Sequence, residues 1–448
     1  MTRRLSLVVP RLILAAWLLA WLPGGVLAAE WTASPGEPLQ PLIDQTSDGD
    51  RLLLPEGRYP GPLTIDRTLT LEGEPGAVID GGGDGHAVVL EAPNIVLDTI
   101  TVENWGADLT DMDAGIFVAT SATGSVIRDS RLTGPGFGIW LDAVAEVQVL
   151  DNVIRGDASL RSQDRGNGVH LFNVRDVTVA GNDIRHTRDG IYIDTSRDSL
   201  LRGNHMQELR YGVHYMYAHD NRLEGNTTRD TRTGYALMQS KRLEVIGNRS
   251  DDDRHYGILM NNITDSTLRG NRVSGINQRR DAQGQGLVSG GEGKALFVYN
   301  AQYNRFEANR FATSDIGIHL TAGSEDNALV GNAFVDNRQQ VMYVANRAQE
   351  WSEEGRGNHW SDYLGWDLDS DGVGDTPFEP NDAMDRLLWR YPVARLLMHS
   401  PAVLALRWVQ RQFPVFRPQG VKDSHPLMNE PDLLEADLNQ HNFGDADA

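Results

Sequence analysis

The sequence predicts an all-β chain, a right-handed parallel β-helix solenoid with a short C-terminal helical extension. Three observations carry this. The pairs Gly181-Asn182, Gly203-Asn204, Gly225-Asn226 and Gly247-Asn248 recur every 22 residues, and Gly270-Asn271 follows after 23. An apolar residue stands three positions before each Asn: Val179, Leu201, Leu223, Val245 and Leu268. After most of them comes a Gly with an alternating run, as in Gly190-Ile191-Tyr192-Ile193 and Gly212-Val213-His214-Tyr215. A fixed period of this length, built from short strands and Gly/Asn corners, is the signature of stacked repeats.

Alternation with period two gives every short strand one inward and one outward face. Coils stacked about 4.8 Å apart turn the inward faces into a continuous core. The Asn residues are expected to form a ladder at one corner, because Asn tolerates left-handed backbone geometry and its amide bonds neighbouring backbone. A leucine-rich repeat needs several Leu at fixed offsets, which the aligned Ile184, Met206, Thr228 and Ser250 do not supply.

In chain order, residues 1–28 read as a signal peptide. Arg3 and Arg4 precede an apolar run, Leu12–Leu22, and Val26-Leu27-Ala28 forms a small-residue cleavage site. The run is too short for a membrane anchor and is broken by Pro23-Gly24-Gly25. The expectation is therefore an exported, periplasmic chain. A short helix within 37–48 would cap the first coil, and the solenoid proper spans 30–349. Loops at 105–113, 157–166 and 275–293 interrupt it, and loops rooted in a rigid scaffold often carry function. An Asp/Gly-rich capping segment, 350–384, follows. Residues 385–428 form an amphipathic helical tail whose apolar anchors are Leu388, Trp389, Leu396, Leu397, Leu404 and Trp408. The acidic stretch 429–448 is expected to be disordered.

A formal net charge of −21 excludes nucleic acid as a natural partner, since phosphate binding needs a basic face. The chain has no Cys, which removes both disulfides and thiolate ligands. Any soft metal must then be held by Met and His. Met216, Met238 and Met260 each fall twelve residues after the Asn of their coil, and His214 lies two before Met216. On a regular strand His214 and Met216 share the outward face, with Met238 one coil above. Thioethers select Cu(I) and imidazole is a common companion, so His214, Met216 and Met238 are the leading copper ligands. Met260, His219, His170 and His319 are weaker candidates. Methionine also fills irregular core gaps, and Met260 points inward if the extra residue of its coil falls before Gly257.

A second constellation, Asp367-x-Asp369-x-Asp371-Gly372-x-Gly374-Asp375, resembles the first half of a calcium loop. The bidentate Glu of such loops is replaced by Phe378, with Glu379 one position later, so Asp375 or Asp382 would have to substitute. The competing reading is an Asp/Gly turn without an ion. A third possibility is acid–base chemistry by Tyr192, Asp194 and His214. It lacks the paired carboxylates of a glycoside hydrolase, because Phe172 and Met216 occupy the Asp194 position in neighbouring coils.

The coils together with Asn358–Tyr363, Trp366–Asp375, Leu388-Trp389-Arg390-Tyr391-Pro392 and Asp423-Ser424-His425-Pro426-Leu427-Met428 resemble the NosD family. This resemblance covers the mature chain except its acidic tail, and it implies a non-enzymatic role in the periplasm. Such proteins work with an ABC transporter permease and its ATPase. They receive copper from a small lipoprotein chaperone and help to build the copper centres of nitrous oxide reductase. The tail at 385–428 would dock on the permease, placing the protein at the membrane through the transporter. Three function classes follow: a copper-handling assembly factor, a polysaccharide-modifying β-helix enzyme (lyase, hydrolase or epimerase), and a metal-free structural adaptor.

Overall fold

The computed structural model describes residues 28–278, 291, 293–321, 323–344, 347–381 and 420–432, with 400–401, 404–405 and 408–409 between the last two stretches. The expected signal peptide, the anchors Leu388, Trp389, Leu396 and Leu397, and the acidic stretch beyond 432 lie outside the described residues.

Three parallel sheets of 13, 12 and 13 strands run the length of the solenoid, each coil contributing one strand to each. The first extends from Glu30–Thr32 to Ala328–Val330 and the second from Leu63–Ile65 to Gln339–Val344. The third extends from Gly57–Pro60 to His359–Trp360. The sequence register is the structural register. Val179, Leu201, Leu223 and Val245 are successive partners in the first sheet, and all four are 0% exposed.

At the adjacent corner the Asn ladder forms. The Nδ2 of Asn182 donates to Oδ1 of Asn204 at 2.9 Å, and the same bond links Asn204 to Asn226 and Asn226 to Asn248 at 2.9 Å each. Each amide also donates to a backbone carbonyl, as Asn204 does to Val179 O at 2.9 Å, and each Oδ1 also accepts the backbone N–H of the preceding Asn. The backbone geometry differs in one detail from expectation. The left-handed residue is the Gly before each Asn, with φ of 62° at Gly203 and 61° at Gly225. Glycine takes that conformation without a Cβ clash, which leaves Asn in ordinary geometry with its side chain turned inward.

Met260 is a correction to the outward methionine series. The 23-residue coil carries its extra residue between Asp251 and Tyr256, ahead of Gly257. Met260 consequently pairs with inward Leu237 and is buried in the core. The same insertion places Asp253 inside the solenoid. Its carboxylate accepts the hydroxyls of Thr228, Ser250 and Thr231 and the Thr231 N–H, all at 2.7 Å. The polar pair that breaks the apolar column is thus the cradle of a buried acid.

Both ends are closed. Ile43, from a four-residue helix at Gln40–Ile43, and Leu39 just before it cover the first coil. At the other end Trp351 and Trp360 are buried, and Val421–Lys422 pairs with Gln349–Glu350. The expected helical tail therefore does not run to 428. Residues 421–428 return to the solenoid, where the buried Asp423 accepts the Asn358 N–H at 2.8 Å, Asn358 Nδ2 at 3.3 Å and the Trp360 indole N–H at 2.8 Å.

Burial pushes the Asp253 pKa up to about 6 despite its hydrogen bonds. The folded state therefore keeps a proton that the unfolded chain releases near pH 4, and stability falls as pH rises from about 4 to about 6. The full loss is about 3 kcal/mol. Asp253→Asn keeps an acceptor for the Thr231 N–H, while the hydroxyls can turn to accept. Urea denaturation should show wild-type stability dropping relative to this variant between pH 4 and pH 7; parallel profiles would contradict the assignment.

Candidate metal centre

The leading candidate ligands lie on the outward face of the second sheet. Tyr211–Met216 and Thr233–Met238 are adjacent parallel strands in which Met216 and Met238 are direct register partners. Both are half-buried, while the inward Tyr215 and Leu237 beside them are fully buried. His214 lies two residues before Met216, between Tyr192 of the preceding coil and Ala236 of the next. The structure thus brings the three leading candidates onto one face of two neighbouring strands.

The state of His214 is set by residues that the sequence pattern did not reveal. Its Nδ1 lies 3.0 Å from Oδ2 of Asp189, a fully buried carboxylate that also takes a bidentate pair of bonds from Arg210 at 2.8 and 2.6 Å. Burial alone would raise the Asp189 pKa, but the hydrogen bonds from His214 and Arg210, together with the Arg210 charge, outweigh it and hold the carboxyl below its usual value. An ionised carboxylate only accepts, so Nδ1 carries the proton. The lone pair then sits on Nε2, which is buried and has no hydrogen-bond partner among the described residues. This is the arrangement by which metal-ligating imidazoles are oriented: one nitrogen fixed by a carboxylate, the other free to bind.

His170 is in the opposite state. Asn167 Oδ1 accepts the Arg188 Nε–H at 3.2 Å, which turns the Asn167 amide nitrogen toward His170 Nδ1 at 3.1 Å. That nitrogen must accept, so the neutral ring carries its proton on Nε2. Burial, then the Arg188 charge, push its pKa down to about 3. His170 packs between Trp140 and Tyr192, at ring separations of 3.8 and 4.7 Å, as part of an aromatic column.

His219 lies beyond the left-handed corner at Tyr217, off the strand that carries Met216. Its pKa is lowered by burial and then by Lys241 and Arg242, cations that oppose a metal ion there. His319 shares the column of His214 four coils on, beside Phe297 and Met342. Met342 was absent from the sequence candidates although it falls ten residues after Asn332, the offset of His214 from Asn204. It occupies the histidine column rather than the methionine one.

Asp367, Asp369 and Asp371 come together, with one carboxylate oxygen from each within 4.8 Å of the others. Asp375 does not join them, because its Oδ2 accepts the Leu368 N–H at 2.8 Å. Asp367 is committed to the N–H groups of Gly372, Ser370 and Asp371, which lower its pKa, whereas the neighbouring Asp371 charge raises that of Asp369. On the outer sheet Asp194 has Phe172 and Met216 as its register partners, so no second carboxylate faces it from the adjacent strands. Leu404 and Trp408 are 56% and 58% exposed, and the Leu404 N–H donates to Ser400 O at 3.1 Å in helical spacing.

A family model described as periplasmic copper-binding protein (NosD) matches residues 150–365. A Pseudomonas aeruginosa protein named "Probable ABC transporter binding protein NosD" is 60% identical over 415 residues, covering 92% of this chain and 95% of the relative. A Stutzerimonas stutzeri protein of the same name is 58% identical over 395 residues, covering 88% and 89%. Both are named as binding proteins rather than enzymes. Among solved structures, a Yersinia enterocolitica family 28 exopolygalacturonase aligns with a TM-score of 0.53 at 12% identity, over 74% of this chain and 78% of that one. The Streptococcus pneumoniae surface adhesin PfbA aligns at 0.52 and 10%, over 66% and 91%. These two likenesses concern the β-helix fold alone. The identity and coverage of the relatives, together with the matched model, show that this chain belongs to the NosD family of periplasmic copper-binding proteins.

Proposed function

We propose that this protein is a periplasmic copper-handling assembly factor that works with an ABC transporter in maturing the copper centres of nitrous oxide reductase. Cu(I) is its cargo, received from a small lipoprotein chaperone and passed toward the reductase. One observation carries the reading: two thioethers in register, Met216 and Met238, beside an imidazole whose Nδ1–H is held by Asp189 and whose Nε2 lone pair has no partner. Two sulfurs and a neutral nitrogen, without thiolate, form a soft donor set suited to Cu(I) and ill suited to hard cations. Family membership supports the transporter link, and the exposed Leu404 and Trp408 offer apolar contacts for docking. Asp367, Asp369 and Asp371 are proposed as a Ca2+ site that orders the link between solenoid and tail, without a chemical role.

Replacing Met216 and Met238 together by Leu nearly conserves volume, so the fold should survive. Anaerobic Cu(I) titration against a competing chelator should then show much weaker binding, and copper loading of the reductase should fail. Unchanged affinity would place the site elsewhere. A wild type that binds no Cu(I) would favour the adaptor reading.

Asp189→Asn tests the orientation of the imidazole. Removing the charge that holds Nδ1–H should weaken Cu(I) binding about 10–100-fold, the usual effect of losing a carboxylate behind a metal-ligating histidine. Side-chain 15N spectra of the metal-free protein should show His214 protonated on Nδ1 in the wild type. A wild-type proton on Nε2 would refute the assignment.

A further inference from the structure

The far end of the same outward face repeats the chemistry with different residues. Ile316–Thr321 and Gln339–Val344 are adjacent parallel strands, with His319 and Met342 as direct register partners. Ile318, Leu320, Val341 and Tyr343, on either side of these two, are buried in the core. By alternation His319 and Met342 both project from the outer surface, their backbones about 4.8 Å apart.

The Nδ1 of His319 is buried and has no hydrogen-bond partner among the described residues. A neutral imidazole can place its proton on either nitrogen, but an unpaired buried N–H costs about 1–3 kcal/mol. The proton therefore sits on Nε2, leaving an unused lone pair on Nδ1. Phe297 packs on the other side of the ring at a centroid distance of 5.0 Å, which leaves the Met342 side as the approach in register. An imidazole nitrogen and a thioether, with no anionic donor between them, form a soft neutral pair that suits a soft monovalent ion better than hard, doubly charged ones.

We propose that His319 Nδ1 and the Met342 thioether form a second site for a soft monovalent cation, Cu(I) in the cell and Ag(I) as its redox-inert probe. It lies four strand steps of about 4.8 Å from His214, about 19 Å along the sheet. The intervening positions of the column, Ala236, Leu259 and Phe297, carry no donor atom. The two places are thus separate binding stations. This second station stands on its own residues and does not require the first.

The test is calorimetric Ag(I) titration of the full mature chain, alongside Met342→Leu, His319→Phe and the Met216→Leu/Met238→Leu double variant. Wild type should bind two equivalents. Met342→Leu, which conserves volume, and His319→Phe should each lose or sharply weaken one of them, while the double variant keeps that one. A side-chain 15N spectrum should show His319 Nδ1 shifting on Ag(I) addition, an effect that a purely structural role for the ring would not produce. A single equivalent that disappears with Met342→Leu and survives the double variant would support this site and remove the one at Met216 and Met238. A single equivalent abolished only by the double variant would overturn the proposal and leave the first site intact. No binding in the wild type would overturn both, as would unchanged stoichiometry and affinity in Met342→Leu and His319→Phe overturn this one.

Discussion

A single chain of side-chain amides runs through the solenoid from Asn152 to Asn358, and it ties together every coil between those two residues. Each rung hands a hydrogen bond to the next and bonds the backbone of an earlier coil, so no amide is left unpaired in the dry corner. An unpaired buried amide would cost about 1–3 kcal/mol, whereas a continuous file of aligned amides polarises each member in the favourable sense. The file also fixes register. A one-residue slip in any coil would turn its apolar column outward and break two amide links together. The ends of such a file are its weak points. Ser130 N–H donates to the first Oδ1, and Asp423 stands in place of the next amide beyond Asn358.

That constraint explains why the functional face could evolve apart from the scaffold. The inward columns and the ladder hold each strand's position to one residue. Where neighbouring coils keep the same length up to that strand, an outward residue at a given offset from the coil's Asn therefore meets its counterpart one step above. The extra residue before Gly257 shifts that count by one. Met216 and Met238 meet in this way, as do His319 and Met342. Which side chains meet on the outer face is thus set by the residues chosen at matching offsets, with no change of backbone.

The fold was legible because periodicity reports a packing requirement that every coil shares. Val179, Leu201, Leu223 and Val245 had to repeat for the core to close. The outward meeting of Met216 with Met238 followed from the same count. What could not be read were contacts made once. Asp189, Arg210 and Asn167 decide which nitrogen of His214 and His170 is free, yet each occupies a position that other coils fill with different residues. Asp423 lies 65 residues from the Asn358 it caps, and no repeat predicts it. The place of the extra residue before Gly257 settled Met260, and only the corner geometry fixes that place. Attributing the left-handed turn to Asn rather than to the preceding Gly was a local error, since both belong to the same dipeptide.

The return of Asp423 gives the solenoid a mechanical property. Asn381 is held to Val341 O, and Gly420 O accepts the Gln349 N–H at 2.9 Å, so the chain between 381 and 420 leaves and re-enters at the same end of the solenoid. It is tethered at both roots, not trailing from one. A load applied to that segment is shared by two attachments in parallel, and through Asp423 it passes directly into the last rung of the amide file.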